Sequence, residues 1–394
     1  MHRSRFWSVP ALLVIAAMLF AACGSDDKDG ASDSGTSTTA AGAAKGVVCK
    51  DVAIGFFGAL TGPNANLALS QRNGVKVALA DFAKKNPKCK VELKEFDSQG
   101  SGDQAPALAS QAAGDASVIG LVGPAFSGES RTANPILDEA GLSVITVSAT
   151  GVDLSTKGWK VFHRAVGNDN AQGPAIAKYL KDELNAKTIA VIDDKSEYGK
   201  GIADIVRKEF GEGVSVSDSF SDRETEFSST VNKVKAGNVD AVVFGGYYSQ
   251  GGPLAKQLKD GGVTAQFIGP DGVNDKGFVE GAGAAAEGAI LTAPSAPTDA
   301  VDAAADFLTK YKEINEVDAS LYSLEAFDAA NIYLECISKG KTTREAIGTC
   351  LDTIEYKGLT KTYKWSADGE LAGKVTIYAY KVEKGVIKGV GPIG

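Results

Sequence analysis

Short apolar segments alternate with longer helical segments along this chain, and the alternation constrains the fold more than any other feature. Strands that alternate with helices of about ten to fifteen residues indicate parallel sheets covered on both faces. The pattern runs through two successive series, which predicts an α/β fold of two doubly wound lobes. The predicted strands are residues 52–60, 90–96, 118–122, 142–147, 188–192, 214–216, 241–244 and 266–268, and the helices between them are residues 67–84, 104–113, 127–141, 198–210, 227–236 and 252–259.

Polar residues follow the strands of the first series. Ligands of doubly wound sheets bind beyond the carboxyl ends of the strands. Ser127 begins a helix there, where free amides and the helix dipole favour an anion. A plain N-cap would also explain Ser127. Ser148, Ala149 and Thr150 follow the next strand and place two hydroxyl groups at its tip.

A different set of side chains follows the strands of the second series. Tyr198, Tyr247 and Asp271 each lie in a loop or helix start that follows a strand. One lobe therefore supplies hydroxyl groups and a helix start, and the other supplies tyrosines and a carboxylate. Together they suit a small zwitterion with an apolar body.

The composition excludes several classes of function. The 394 residues include 41 Lys plus Arg and 49 Asp plus Glu, a net charge of −8. Nucleic-acid binding requires a basic surface, so we expect no nucleic-acid partner. The two histidines are His2 and His163, which argues against histidine-dependent catalysis and zinc binding. With no phosphate-loop motif either, we expect no enzyme activity, no cofactor and no metal.

The first 22 residues are predicted to be a signal peptide. Arg3 and Arg5 precede an apolar run over residues 9–22, a layout typical of secretory signals and too short to span a bilayer. The run ends in LFAAC, which resembles a bacterial lipobox. This resemblance predicts that the signal peptide is cut just before Cys23 and that Cys23, now the N-terminal residue, is acylated. An ordinary signal with an unmodified Cys23 is the alternative. Residues 23–46 are predicted to be the lipidated Cys and a tether, because they lack large apolar residues.

Four further cysteines allow three disulfide connectivities. Cys49 and Cys89 each precede a strand, and parallel neighbouring strands bring their starts together. Cys336 and Cys350 are close in the chain, on consecutive helical segments. We therefore predict the pairs Cys49–Cys89 and Cys336–Cys350, with buried free thiols as the alternative.

Several segments together resemble the bacterial branched-chain amino acid binding proteins, which are type I solute-binding proteins of ABC importers. The likeness runs from about residue 52 to the end of the chain. It implies a type I periplasmic binding protein fold and a role in import. The matching segments are residues 58–63 (GALTGP), 172–174 (QGP), 194–199 (DKSEYG), 245–248 (GGYY) and 266–273 (QFIGPDGV).

The resemblance implies a role for each polar site residue. Ser127 matches a serine that binds the ligand α-carboxylate through its hydroxyl and backbone amide. Ser148 matches a position whose backbone carbonyl accepts a hydrogen bond from the α-ammonium, and Thr150 a threonine that contacts both groups. Asp271 takes the place of an acidic residue, usually Glu, that pairs with the ammonium. Ala149, between Ser148 and Thr150, belongs to the same predicted site.

The resemblance also implies an aromatic and aliphatic wall. Tyr198, Tyr247 and Tyr322 match aromatic pocket residues. Leu67 stands where well-known members carry Trp, which makes the pocket larger or more aliphatic. Phe126 stands at one cysteine of the family's disulfide in this lobe, which is consistent with a different bridge here.

The resemblance further implies the domain organisation and partners. A three-crossing hinge joins the lobes, and ligand closes them because each lobe supplies part of the site. The implied partners are an amino acid ligand, the permease subunits of an ABC importer and, through the lipid anchor, the membrane; we expect a monomer. The first lobe spans residues 47–168 plus 295–369, and the second spans residues 169–294 plus 370–394.

Two other functions remain open at this point. The same fold could bind a short amide, urea or an aromatic acid as importer component or receptor. An enzyme on a nucleotide-binding fold is the third hypothesis, and the histidine count argues against it. Ser127, Thr150 and Asp271 favour an amino acid, because together they match the two charged ends of a zwitterion.

The lipid anchor yields the first prediction. Mass spectrometry of the protein extracted from membranes should show an acylated cysteine at position 23, now the N-terminus. Cys23→Ser should release the protein or leave its signal peptide uncleaved. Correctly cleaved protein with an unmodified Cys23 would contradict the prediction.

Overall fold

The structure is a computed structural model that describes residues 48–394. The predictions for the signal peptide, Cys23 and the tether lie outside these residues. Two large sheets dominate the described part, and the first has five parallel strands in the order β2-β1-β3-β4-β5. These strands are β1 (Cys49–Gly58), β2 (Cys89–Asp97), β3 (Val118–Val122), β4 (Val144–Thr146) and β5 (Phe162–Arg164).

The second sheet has seven strands in the order β14-β13-β10-β9-β8-β6-β7. Its centre is parallel as predicted, but β13 and β14 join one edge in antiparallel orientation. The remaining strands are β6 (Ile189–Asp193), β7 (Val214–Ser219), β8 (Ala241–Gly245), β9 (Gln266–Gly269), β10 (Ile290–Ala293), the short pair β11 (Tyr356–Lys357) and β12 (Thr362–Tyr363), β13 (Tyr378–Glu383) and β14 (Val386–Pro392).

Helices follow the strands in both series, so the predicted α/β fold of two doubly wound lobes is confirmed. We call each large sheet with its helices a lobe. The helices are α1 (Ala65–Lys85), α2 (Ala105–Gly114), α3 (Ser127–Glu139), α4 (Asp169–Asp182), α5 (Glu197–Phe210), α6 (Ser228–Gly237), α7 (Tyr248–Asp260), α8 (Lys276–Ala282), α9 (Ala305–Asn315), α10 (Ser323–Ser338) and α11 (Arg344–Thr353).

Helix α5 shows how the local sequence sets an element. The Ser196 hydroxyl accepts a hydrogen bond from the Gly199 amide at 2.9 Å and caps the N-terminus. Ile202, Val206 and Phe210 recur at helical spacing and are buried. Gly211 ends the helix with a positive φ of 77°, a conformation that glycine adopts at little cost.

Helices α1 and α10 pack closely in the first lobe, and a glycine makes the contact possible. A Cβ atom at Gly74 would lie 2.2 Å from the backbone oxygen of Ser323. Helices α10 and α11 also contact β3, although they follow the second lobe in sequence. The chain therefore passes between the sheets after β5, after β10 and again before β13.

One predicted element is wrong in its local structure. The sequence also predicts a solvated acidic helix over residues 299–306, but the chain forms two 3₁₀ turns, Thr298–Ala300 and Asp302–Ala304, and α9 begins only at Ala305. Val301 separates the turns with an extended backbone, φ −100° and ψ 95°. An extended residue cannot continue a helix, so the segment divides there.

No helix within residues 48–394 is both long and apolar enough to cross a membrane.

Both predicted disulfides are present. Cys49 lies opposite Cys89 in the parallel pair of β1 and β2, and the two are bonded. Cys336, near the end of α10, is bonded to Cys350 in α11. One bridge therefore fastens the edge of the first sheet, and the other fastens the two helices that return to it.

The two bridges should differ in their contribution to stability. They join residues 40 and 14 positions apart. Loop closure predicts a loss of about 4 kcal/mol for the Cys49→Ala/Cys89→Ala pair and about 3 kcal/mol for Cys336→Ala/Cys350→Ala. Denaturant unfolding of both variants and the wild type measures the difference. Equal stability of all three proteins would contradict the expectation.

Candidate functional site

A cavity lies between the carboxyl ends of the two sheets. Its walls enclose about 290 Å³ of space between atoms, part of which is continuous with solvent. Seven of the nine predicted ligand-binding residues line it, whereas Ala149 and Thr150 do not. The lining residues are Leu67, Gln71, Ala125, Phe126, Ser127, Ser148, Tyr198, Tyr247, Asp271, Gly272 and Tyr322.

The first lobe supplies the start of α3 and the loop after β4. Ser127 is the first residue of α3, and its hydroxyl accepts a hydrogen bond from the Gly151 amide at 3.0 Å. The Ser148 hydroxyl donates to the Ala125 carbonyl at 2.7 Å. These bonds join the two loops, so Ser127 links neighbouring strand tips instead of capping its own helix. The Thr150 hydroxyl is buried and has no hydrogen-bond partner among residues 48–394.

A buried arginine fixes the same loop from below. The Arg164 guanidinium donates to the carbonyls of Ala149 and Gly151, each at 2.8 Å. Its other nitrogens bond the Glu370 carboxylate at 2.6 and 3.2 Å. The Arg164 side chain has no solvent exposure, and its charge is paired with the Glu370 carboxylate. A buried ion pair therefore holds the loop in place.

The second lobe supplies a carboxylate at the centre of the site. Asp271 follows β9 and accepts hydrogen bonds from the Tyr198 and Tyr322 hydroxyls at 2.7 and 2.8 Å. Tyr198 also accepts a bond from the Gly272 amide at 3.0 Å. Burial raises the pKa of Asp271 above its ordinary value, although the two tyrosine bonds oppose the shift. The site thus holds an acid that a cationic ligand group would stabilise in its charged form.

Aromatic rings complete the wall of the cavity. The Tyr247 ring lies 5.1 Å from the Tyr198 ring and 5.2 Å from the Phe126 ring, measured between centroids. Leu67, from α1, lines the cavity beside them and is 6% exposed. These side chains offer an apolar surface next to the hydroxyls and the carboxylate.

Contacts between the lobes surround the cavity, so the structure is closed. The side-chain amide of Asn66 in α1 donates to the Asp275 carboxylate at 2.9 Å, and the backbone amide of Asn66 donates to the Tyr248 hydroxyl at 3.2 Å. On another side, Arg131 of α3 bonds Glu197 of α5 at 3.0 Å. The second pair is solvent-exposed and contributes little energy, whereas Asp275 is buried.

Several residues at the site are missing from the sequence-based prediction. Gln71 and Phe126 line the cavity. Gln71 lies within helix α1 and not at a strand tip, and the resemblance identifies Phe126 only as the replacement of a cysteine. Asp169 and Gln172 are buried near Asp271. The QGP segment at 172–174 is the one available signal for them. No group of three or more acidic, His or Cys side chains among residues 48–394 is arranged to hold a metal ion.

Known proteins are similar to this chain over most of its length. A profile described as periplasmic binding protein matches residues 51–385. A leucine-, isoleucine-, valine-, threonine- and alanine-binding protein of Pseudomonas aeruginosa is 30% identical over 337 residues, covering 84% of this chain and 90% of that protein. The Leu/Ile/Val-binding protein BraC3 of Rhizobium johnstonii is 32% identical over 347 residues, covering 86% and 93%.

A solved structure is similar in fold and sequence. The branched-chain amino acid transporter substrate-binding protein LivJ from Streptococcus pneumoniae, in complex with isoleucine, superposes with a TM-score of 0.80 at 26% identity. The match covers 87% of this chain and 100% of that one.

Glu129, below the cavity, gives a prediction about pH. Its carboxyl group accepts a bond from the Phe126 amide at 3.1 Å and contacts the Ser98 hydroxyl, and burial raises its pKa to about 8. Between its ordinary pKa and about pH 8 the folded state keeps a proton that the unfolded state loses, so stability falls as pH rises through this window. Glu129→Gln mimics the protonated acid and should remove that loss. Unfolding midpoints at pH 5, 6.5 and 8 measure it; parallel pH profiles for the two proteins would contradict the assignment.

Proposed function

The chain belongs to the periplasmic binding protein family, and from that premise we propose that it captures a branched-chain or similar aliphatic amino acid and delivers it to an ABC importer. One observation carries the choice of ligand. A closed cavity combines the start of α3 at Ser127, the carboxylate of Asp271 and an apolar wall. An aliphatic amino acid has the three matching parts, a carboxylate, an ammonium and an apolar side chain.

The carboxylate end of the ligand would bind the first lobe. The amides in the first turn of α3 lack partners within the helix, and the helix dipole favours negative charge there. Ser127 adds a hydroxyl that the Gly151 amide orients. Ser148 presents its backbone carbonyl from the same strand tip, and Thr150 a second hydroxyl, for the ligand ammonium, while the carbonyl of the predicted site residue Ala149 accepts from Arg164.

The ammonium end would bring the lobes together. Asp271 belongs to the second lobe, and one of its two tyrosine partners, Tyr322, directly precedes α10 of the first. A cation beside Asp271 compensates a carboxylate that closure removes from water. Ligand binding therefore favours the closed arrangement, which contributes differential affinity for one conformation.

The ligand side chain would contact Leu67, Phe126 and the ring of Tyr247. The names of the two relatives and the isoleucine in the related structure support this class of ligand. Leu67, in place of the Trp expected from the resemblance, makes this part of the cavity aliphatic. The site offers hydrogen bonds and charge to the two ends of the ligand, so the proposed activity is binding and release.

The proposal extends to the location and organisation of the protein. Residues 1–22 direct export, lipid on Cys23 anchors the protein outside the cytoplasmic membrane, and residues 24–46 tether the folded part. We propose lobes of residues 47–168 plus 295–369 and of residues 169–294 plus 370–394, acting as a monomer that docks on a permease.

Calorimetry tests the ligand class. Asp271→Asn should weaken the binding of leucine, isoleucine and valine by about 3 to 5 kcal/mol, since a buried ammonium then lacks a charged partner. Ser127→Ala should cost about 1 to 3 kcal/mol, because the helix amides still hold the carboxylate. Asp260→Asn, an exposed acid of the same lobe, should change nothing.

An uncharged amide separates the alternatives. It carries no ammonium, so Asp271→Asn should leave its affinity unchanged. If the wild type binds an amide, urea or an aromatic acid but no amino acid, the amino acid proposal is wrong and the other ligand class replaces it.

A further inference from the structure

The N-terminus of α1, in the first lobe, is capped by the second lobe. Asn64 precedes the helix, but its side chain makes no capping hydrogen bond, and the first turn carries no acidic residue. The backbone amide of Asn66 is one of the first-turn amides that normally donate to a capping side chain. It donates instead to the Tyr248 hydroxyl of the second lobe, at 3.2 Å. Contact between the lobes therefore supplies a cap that the first lobe does not provide.

The side chain of Asn66 makes a second bond to the same lobe. Its amide nitrogen donates to the Asp275 carboxylate at 2.9 Å. Asp275 thus lies beside the start of α1, where the helix dipole favours a negative charge. Asp275 and Tyr248 are 5% and 6% exposed. Hydrogen bonds are stronger in such a buried setting than in water, so this contact contributes more than an exposed one.

The two acceptors are fixed within the second lobe. The Gly277 amide donates to the Asp275 carboxylate at 2.7 Å, and the Asp275 amide donates to the Val273 carbonyl at 2.8 Å. A Cβ atom at Gly277 would lie 2.5 Å from the Tyr248 ring, so glycine lets the ring pack against the start of α8. All these contacts lie within one lobe. The acceptors are therefore already positioned when Asn66 meets them, which lowers the cost of ordering them.

The contact is directly connected to the ligand cavity but is not part of it. Asn66 is followed by Leu67, which lines the cavity. Tyr248 is preceded by Tyr247, which also lines it. Asp275 belongs to the loop after β9 that carries the cavity carboxylate. Asn66, Tyr248 and Asp275 do not line the cavity themselves, so they act on a bound ligand through their neighbours and through the position of the lobes.

We infer that Asn66, Tyr248 and Asp275 form a latch, which holds a ligand in the closed site without touching it; this inference depends on the binding function proposed above. Both bonds of Asn66 cross between the lobes, so opening breaks them. They add free energy to the closed arrangement alone, and such a difference shifts the population toward it. Because the latch does not contact the ligand side chain, it sets the dissociation rate of every ligand equally and leaves selectivity unchanged.

Dissociation rates measured by stopped flow test the latch. Asn66→Ala should speed the release of leucine roughly 5- to 50-fold, because a bond to a carboxylate is lost, and Tyr248→Phe roughly 2- to 10-fold, because one neutral acceptor is lost. The association rate should stay within about twofold of the wild type, since most effects of interface changes appear in dissociation. Isoleucine and valine should be released faster by the same factors as leucine.

Two matched variants within the first lobe serve as controls. Asn86→Ala removes an asparagine at the other end of α1, where its side chain donates to the Phe82 carbonyl at 3.2 Å. Tyr311→Phe removes a buried hydroxyl that donates to the Ser70 carbonyl of α1 at 3.1 Å. Both changes affect α1 without breaking a contact between the lobes. The release of leucine should therefore proceed at the wild-type rate in both controls.

The outcomes separate the latch from the proposed function. If both latch variants release leucine at the wild-type rate, if the controls speed release as much, or if the three amino acids respond by different factors, the latch is overturned and the proposed function stands. Should Asn66→Ala fail to fold, Tyr248→Phe decides. If the wild type binds an amide, urea or an aromatic acid but no amino acid, the proposed function is wrong, and the release of that compound decides the latch. If none of these compounds binds, both are overturned.

Discussion

The buried guanidinium of Arg164 is the interaction on which the site most depends. It donates to the carbonyls of Ala149 and Gly151, and the Gly151 amide in turn orients the Ser127 hydroxyl. Its partner Glu370 also accepts a bond from Asn168 at 3.1 Å, just before α4. One charged group thus holds the strand tip beside the cavity and two of the segments that pass between the lobes.

Because Arg164 is buried, its pairing with Glu370 is important for stability. A fully buried arginine without its carboxylate would leave an uncompensated charge, a loss of about 3 to 5 kcal/mol in typical proteins. The segment around Glu370 is fastened further, because the Trp365 indole donates to the Arg164 carbonyl at 2.7 Å. These contacts fix the loop after β4 within the first lobe, which lowers the cost of ordering that loop when a ligand binds.

The closed site also brings two acidic side chains together. Asp169 and Asp271 are buried near one another, and burial raises the pKa of both. Removal from water and mutual repulsion disfavour two ionised carboxylates. A ligand that brings an ammonium relieves both effects, whereas a neutral ligand relieves neither. This is why the charge of the ligand, more than the shape of its side chain, is expected to govern closure.

Local sequence is enough to specify the alternation of strands and helices, the two lobes, both disulfides and most of the cavity wall. These follow from residue pattern and from the rule that ligands bind at strand tips, which together locate Ser127, Ser148, Tyr247 and Asp271. Which polar atoms are left without partners is settled by tertiary packing alone. Hydrogen-bond satisfaction depends on groups far apart in the chain, as in the bond from Gln172 to Thr292. The raised pKa of Asp169 therefore arises from packing, because an aspartate at the start of a helix is common and its burial beside a second carboxylate is not.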